Sequence, residues 1–144
     1  GPLVDLEGRV VAINTAIIPF AQGIGFAIPI NSVRRCSDEI IVHGRVIRPW
    51  LGVSGLSITP EIASYYGLPV ERGVLITEVM SDSPAERAEI RKGDIILGFG
   101  ESAINSVEEL VKEIQRRRIG EKARVLLLRD GEKWIADVRL EQTP

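Results

Sequence analysis

The sequence of 144 residues predicts an α+β protein, and three features of the chain support this class. Short runs rich in branched residues, such as residues 73–79, are bounded by glycine or proline and are typical of strands. Residues 107–114 instead carry apolar side chains at the spacing of one helix face. Asp130-Gly131 stands between two further strand-like runs and is a strong signal for a hairpin turn. The chain therefore combines several strands with few helices.

The composition is that of an ordinary globular protein. The chain is 44% hydrophobic and 26% charged, and its length suits about one domain. The net charge of −2 gives no basic footprint, so no nucleic-acid partner is predicted. No apolar run approaches the roughly 18 residues of a membrane span. No cofactor or metal is expected.

The first strands of the chain are predicted to form a hairpin and a third strand. Residues 3–6 and 9–13 flank a turn at Gly8, where glycine can take a positive φ. Residues 17–22 break the strand pattern, and residues 23–28 resume it.

A helix is predicted to follow, with Asn31 or Ser32 as its cap and Gly44 as its end. Cys36, the single cysteine, falls on the apolar face of this helix and is expected to be a buried structural thiol. His43, the single histidine, lies in the last turn, where a cation suits the helix dipole. Neither residue has a partner for nucleophilic catalysis, so no catalytic residue is assigned.

A domain boundary is predicted just before Pro49, because proline forces its neighbour into an extended form and a new strand begins there. The sequence therefore predicts two domains, residues 1–45 and residues 46–144. In the second domain, Thr59 precedes proline at the first position of a short helix, which is expected to end at Gly67.

Capping signals place two more helices in the second domain. Ser83-Pro84 opens a second short helix, and Ser106 with Glu109 forms a capping box for a longer one. The longer helix is expected to run to Gly120, with the arginines of residues 116–118 in its last turn.

The remaining strands complete a module of about 95 residues, which is large enough to hold its own core. They are predicted at residues 95–99, 122–129 and 132–140. Trp134, Ala136, Val138 and Leu140 alternate onto one face of the last strand.

Several consecutive motifs resemble the serine proteases of the HtrA (Deg) family. They are GRVVAINTAI and GIGFAIP in the first domain, RPWLGV at the boundary, and GVLITEV, SPAERA and KGDIIL in the second domain. The resemblance implies that residues 1–45 are the end of a trypsin-like β-barrel. Gly1 matches the last glycine of the family's active-site run, which implies a catalytic serine two positions before it. The alternative is that Gly1-Pro2 is a scar of tag removal.

For the first domain, the resemblance also implies part of a protease specificity pocket. Its remnant would comprise Thr15, Ala16, Ile24, Gly25 and Phe26, with residues 18–22 at its border.

The second domain resembles a PDZ domain, a small, partly open β-barrel with two helices. The resemblance implies that Trp50-Leu51-Gly52-Val53 is a loop whose backbone N–H groups bind a peptide carboxylate, with Gly52 leaving room for the peptide. The expected peptide-binding residues are Arg48, Trp50, Leu51, Gly52, Val53, Val107, Val111 and Ile114.

Two further expectations concern residues near this loop. Leu110 is expected to lie mainly in the core, although it belongs to the same helix face as the groove residues. At Glu89 the family has glycine, so a left-handed backbone there would strain this residue by about 1 kcal/mol.

Three functions are compatible with the sequence. The favoured one is part of an HtrA-type endopeptidase in protein quality control, with a PDZ domain that binds peptides or unfolded proteins with apolar C-terminal ends and delivers them to the protease or regulates it. The alternatives are a free-standing PDZ adaptor and a PDZ domain used mainly for assembly. The resemblance implies an extracytoplasmic, homo-oligomeric parent. The chain itself is expected to be inactive and to form a dimer through its first strands.

Overall fold

The computed structural model describes residues 1–17 and 23–144, which divide into two compact units, Gly1–Ile47 and Arg48–Pro144. We call these unit 1 and unit 2. The division falls two residues beyond the predicted domain boundary. The predicted break in the strand pattern and the loop at residues 18–22 lie largely outside the described residues.

Unit 1 is a three-stranded antiparallel sheet followed by one helix. The strands pair in chain order. The elements are β1 (Pro2–Val4), β2 (Val10–Ile17), β3 (Gly25–Pro29) and α1 (Ile30–His43).

The β1–β2 turn is built around Asp5. Its carboxylate accepts hydrogen bonds from the backbone N–H groups of Glu7 and Arg9, each at 2.9 Å, and from the Arg9 side chain at 2.8 Å. Gly8 has a φ of 78°, which glycine adopts without strain. Asp5 therefore ends β1 two residues earlier than predicted, and Leu6 lies in the turn.

Helix α1 begins without a side-chain cap. Pro29 is the residue before the helix, and its backbone is extended. The prediction of Asn31 or Ser32 as the cap was wrong, because the strand passes directly into the helix and both residues already lie in its first turn. The helix ends at Gly44, as predicted, with a left-handed backbone.

None of the described residues of unit 1 is buried within this chain. Cys36 is half-buried, so its predicted burial was wrong. His43 is exposed in the last turn of α1. Large apolar side chains are exposed on all three strands, including Val4, Val10, Phe26 and Ile28.

Unit 2 contains an antiparallel sheet with the strand order β10-β9-β7-β6-β5 and with β8 paired to β7. Two short strands, β4 and β11, pair separately. The strands are β4 (Pro49–Trp50), β5 (Val53–Ser57), β6 (Val74–Val79), β7 (Ile95–Phe99), β8 (Ser102–Ala103), β9 (Lys122–Arg129), β10 (Glu132–Arg139) and β11 (Glu141–Gln142).

Three helices, α2 (Pro60–Tyr66), α3 (Pro84–Arg87) and α4 (Val107–Gln115), accompany these strands. Each begins at its predicted cap, because a hydroxyl oxygen accepts a hydrogen bond from a backbone N–H in the first turn. The caps are Thr59, Ser83 and Ser106.

The capping box at α4 differs from the prediction in its second half. The Ser106 hydroxyl accepts from the Glu109 N–H at 3.2 Å, but the Glu109 carboxylate accepts from the Asn105 N–H at 2.8 Å. The helix also ends at Gln115, so residues 116–118 lie beyond it. The Glu121 carboxylate accepts from the Arg118 N–H, which holds this segment in a turn.

The β9–β10 hairpin has the predicted turn. Asp130 and Gly131 have φ angles of 51° and 82°, as a two-residue turn with two positive angles requires. Alternate residues of this hairpin are buried, and so is Leu140 after it. Trp134 is half-exposed. Its ring lies under the Arg129 guanidinium, whose central carbon is 5.3 Å from the ring centroid.

A buried ion pair joins β9 to the turn before β7. Asp94 is 1% exposed, and its two carboxylate oxygens accept from Nε and Nη2 of Arg129, each at 2.7 Å. The same Nη2 donates to the carbonyl of Glu89. Glu89 has a φ of 59°, so the strained backbone expected at this position is present and is held by Arg129.

No helix in the described part of the chain is long and apolar enough to cross a membrane. Within the same residues, no group of three or more histidine, cysteine or acidic side chains is placed to hold a metal ion.

Candidate peptide-binding site

Strand β5 forms one edge of the unit 2 sheet, and helix α4 lies beside it. The sheet order ends at β5, which pairs only with β6 among the described strands. At the far end of β5, the Ser57 hydroxyl accepts a hydrogen bond from the Val107 N–H at 2.9 Å. This bond fixes the start of α4 to the end of β5, so the beginning of β5 faces the last turn of the helix.

A cavity of about 230 Å³ lies between β5 and α4. All eight residues predicted to bind peptide line it. They are Arg48, Trp50, Leu51, Gly52, Val53, Val107, Val111 and Ile114.

Six further residues, which the sequence did not predict, line the cavity. They are Pro49, Gly55, Val74, Leu110, Gln115 and Thr143. Leu110 is both a core residue, as expected, and part of the cavity wall. Thr143 reaches the cavity because its N–H and its hydroxyl both donate to the Arg48 carbonyl, 95 residues away. No local pattern signals a contact over that separation.

The backbone of the loop at residues 51–53 is oriented by hydrogen bonds on one side. The Leu51 carbonyl accepts from the Ala85 N–H, and the Gly52 carbonyl accepts from the Met80 N–H, each at 2.9 Å. In a trans peptide the carbonyl and the following N–H point in opposite directions. The N–H groups of Gly52 and Val53 therefore point away from the side that Ala85 and Met80 occupy.

The N–H groups of this loop are available to donate to a ligand. Within residues 1–17 and 23–144, the N–H groups of Leu51 and Gly52 form no hydrogen bond. Met80 and Gly52, next to β6 and β5, form a hydrogen-bonded pair, so the adjacent pair, Val53 and Val79, is a non-hydrogen-bonded one. In such a pair the N–H and carbonyl of Val53 point away from β6. Successive N–H groups left unpaired in a tight loop are the kind of group that binds an anion.

Gly52 has a structural role in addition to the predicted one. Its φ is +85°, and a Cβ atom built on it would lie 2.2 Å from Cβ of Ser83 and 3.2 Å from Trp50. The missing side chain therefore makes room for Ser83 behind the loop, and the expected room for the peptide stays a prediction.

The cavity wall is mostly apolar. On α4, Leu110 and Ile114 are buried, Val107 is half-buried and Val111 is 44% exposed. Among the lining residues no side chain is acidic, and Arg48 supplies the only cation. The site thus suits an apolar side chain next to an anionic group.

The predicted specificity-pocket residues are partly brought together in unit 1. Thr15, Ala16, Gly25 and Phe26 line a second cavity of about 440 Å³. Ile24 does not line it, although it lies next to Gly25. The border predicted at residues 18–22 lies outside the described residues.

A family profile for the PDZ domain matches residues 49–140. The chain therefore belongs to the PDZ domain family, in agreement with the fold and the groove.

The whole chain, including unit 1, is also similar to HtrA-type proteases. It is 37% identical to a probable periplasmic serine endoprotease DegP-like from Marinomonas sp. (strain MWYL1), over 100% of the chain and 31% of that protein. It is 35% identical to the periplasmic pH-dependent serine endoprotease DegQ from Escherichia coli (strain K12), over 98% of the chain and 32% of that protein. The chain thus spans about a third of the length of these relatives.

A solved structure of the HtrA-type protease AlgW with a decapeptide has the same fold. It superposes with a TM-score of 0.89 at 37% identity, over 100% of this chain and 45% of that one. The predicted similarity to HtrA proteases and the PDZ fold are therefore confirmed.

Proposed function

We propose that unit 2 binds the C-terminal ends of peptides or unfolded proteins as an added strand on β5. The observation that carries this proposal is the free edge of β5, which ends in a loop with unpaired N–H groups beside an apolar cavity. Strand addition of this kind gives affinity through backbone hydrogen bonds and selectivity through side-chain pockets. The similar protease AlgW was solved with a decapeptide, which supports a peptide as the ligand.

The direction of the peptide follows from the position of the loop. The carboxylate binds at residues 51–53, which precede β5, so the peptide runs antiparallel to β5. Alternate side chains of a strand point to the same side. The last side chain therefore lies near Leu51 and Ile114, and the side chain two positions earlier faces Val107.

The size of the cavity limits how much of a peptide it can hold. Its volume of about 230 Å³ is below the roughly 300–1,000 Å³ of sites that enclose a complete small ligand. The cavity therefore takes one apolar side chain of the peptide, while the rest of the peptide stays on the surface. Arg48, which is exposed, attracts the carboxylate at longer range.

For the whole protein, we propose an HtrA-type serine endopeptidase in which this domain delivers substrates to the protease or regulates it. Residues 1–45 would then be the end of the trypsin-like barrel, with Thr15, Ala16, Ile24, Gly25 and Phe26 near its specificity pocket. An extracytoplasmic location is supported by the word periplasmic in the names of two relatives. The similarity of unit 1 to these proteases argues against a free-standing adaptor.

The binding proposal is tested with a decapeptide that ends in valine, prepared as the free acid and as the amide. We expect the amide to bind at least about tenfold more weakly, because the loss of a charge-assisted hydrogen bond costs on the order of 1.5 kcal/mol or more. Binding is measured by calorimetry or fluorescence anisotropy. Equal affinity of acid and amide would overturn the assignment of the loop.

Two matched variants locate the site. Val111→Asp and Ile135→Asp each place a carboxylate at an exposed apolar position, and the two side chains are 44% and 64% exposed. Only Val111 lines the cavity. We therefore expect Val111→Asp to weaken binding of the acid peptide and Ile135→Asp to leave it unchanged.

A further inference from the structure

Helix α3 holds the binding loop from behind. Its second residue, Ala85, is fully buried and donates its N–H to the Leu51 carbonyl at 2.9 Å. An ion pair between Arg87 and Glu141 joins the same helix to β11, which pairs with β4 just before the loop. The position of α3 therefore decides where the Leu51 carbonyl is held and, through the planar peptide, where the Gly52 N–H points.

Ser83 is the side chain that fills the space between α3 and the loop. It is 0% exposed, and its hydroxyl caps α3 by accepting from the Glu86 N–H at 3.1 Å. A Cβ atom on Gly52 would lie 2.2 Å from Cβ of Ser83 and 2.8 Å from its Oγ. Since protein interiors are close-packed, the loop cannot move back past this side chain.

We infer that Ser83 is a positioning residue for carboxylate recognition, and this inference rests on the proposed function of the groove. Ser83 does not line the cavity, so it acts through the loop and does not touch the peptide. Its Cβ atom sets how deep the loop lies, and its hydroxyl sets where α3 begins. The Cβ atom thereby keeps the N–H group of Gly52 in the direction that a carboxylate needs, while the hydroxyl contributes to stability.

The test compares substitutions that separate the two roles of Ser83. Ser83→Thr keeps a capping hydroxyl and adds a methyl group to a side chain that is fully buried. We expect it to weaken binding of the acid decapeptide at least about fivefold and the amide much less. Ser83→Ala keeps the Cβ atom and removes the cap, so it should lower stability while the ratio of the two affinities stays near that of the unaltered chain.

Thr59→Ala is the matched control for the loss of a cap. Thr59 caps α2 through a 3.3 Å bond from the Ile62 N–H and does not line the cavity. The Thr59→Ala variant should lower the unfolding temperature, as Ser83→Ala does. It should leave the affinities for the acid and the amide peptide unchanged. A purely structural role of Ser83 would move stability without changing the ratio of acid to amide affinity in any of its variants.

A rescue experiment decides the matter if Ser83→Thr does not fold. Gly52→Ala introduces the Cβ atom that collides with Ser83, and the double variant Gly52→Ala with Ser83→Gly removes the collision. Both carry the same strain of alanine at a positive φ. The double variant also loses the hydroxyl cap of α3, but glycine is well tolerated at a cap position, so the comparison reports mainly on the contact. We expect the double variant to bind the acid peptide at least about threefold more tightly than Gly52→Ala alone.

The outcomes distinguish the two proposals. If the unaltered chain prefers the acid peptide but the ratio is unchanged in Ser83→Thr, the role of Ser83 is refuted and the groove assignment stands. Absence of rescue in the double variant also refutes the role of Ser83. If the unaltered chain binds acid and amide equally, the proposed function fails, and the inference fails with it.

Discussion

The buried pair between Asp94 and Arg129 allows a sharp test of what holds unit 2 together. The Asp94 side chain is 2% exposed and the Arg129 side chain 16% exposed. Arg129→Met keeps an apolar side chain but removes the guanidinium, which lies over the Trp134 ring and donates three hydrogen bonds to Asp94 and Glu89. Among the described residues, only the N–H of Arg91 then still donates to the Asp94 carboxylate.

The expected cost is large, because removal of one partner leaves a buried charge without compensation. Such changes destabilise a protein by about 3–5 kcal/mol. With a urea m-value of about 1–3 kcal/mol/M, the midpoint of unfolding should fall by about 2 M. Adding Asp94→Asn to Arg129→Met should recover a part of this loss, since the buried group is then uncharged.

The assay is urea unfolding followed by tryptophan fluorescence. Both tryptophans, Trp50 and Trp134, lie in unit 2, so the signal reports on this unit. Arg117→Met is the matched control, because the pair between Arg117 and Glu121 has side chains 28% and 34% exposed and should contribute at most about 1 kcal/mol. Equal losses in the two arginine variants would refute the claim that Asp94 is shielded from water.

Three further predictions concern unit 1. We propose that its exposed apolar strands pair with those of a second copy, so light scattering should give a dimer for the intact chain and a monomer for a chain beginning at Val46; a monomeric intact chain would contradict this. The single histidine, His43, is exposed at the end of a helix, so purified chain should cleave casein no faster than a mock preparation. Hydrogen bonds from the Arg9 backbone and side chain lower the pKa of Asp5 in the folded chain. The ionised Asp5 therefore stabilises the folded state at a pH above its unfolded pKa, and this stabilisation is lost as the pH falls through the folded pKa. An NMR titration of the Asp5 carboxyl that gave an ordinary pKa would contradict that contribution.

Local signals predicted most elements of unit 2. Thr59 and Ser83 were identified as caps because a proline follows each hydroxyl. Ser106 was identified because an acidic first turn follows it, and Asp130-Gly131 identified the hairpin. These signals work because the interaction joins residues only a few positions apart. They failed where a neighbour competed for the same backbone, as when the Asp5 carboxylate ended β1 early or Glu121 held the chain in a turn beyond α4.

The sequence by itself determined the α+β class, the resemblance to HtrA proteases and eight of the fourteen residues that line the cavity. Only the tertiary structure decided that β5 is an edge strand, that Thr143 completes the wall, and that Ser83 fills the space behind Gly52. The last two features depend on contacts between residues that are 95 and 31 positions apart, respectively. Side-chain packing and ion pairing at such distances follow from the folded geometry, and no periodicity or spacing in the chain encodes them.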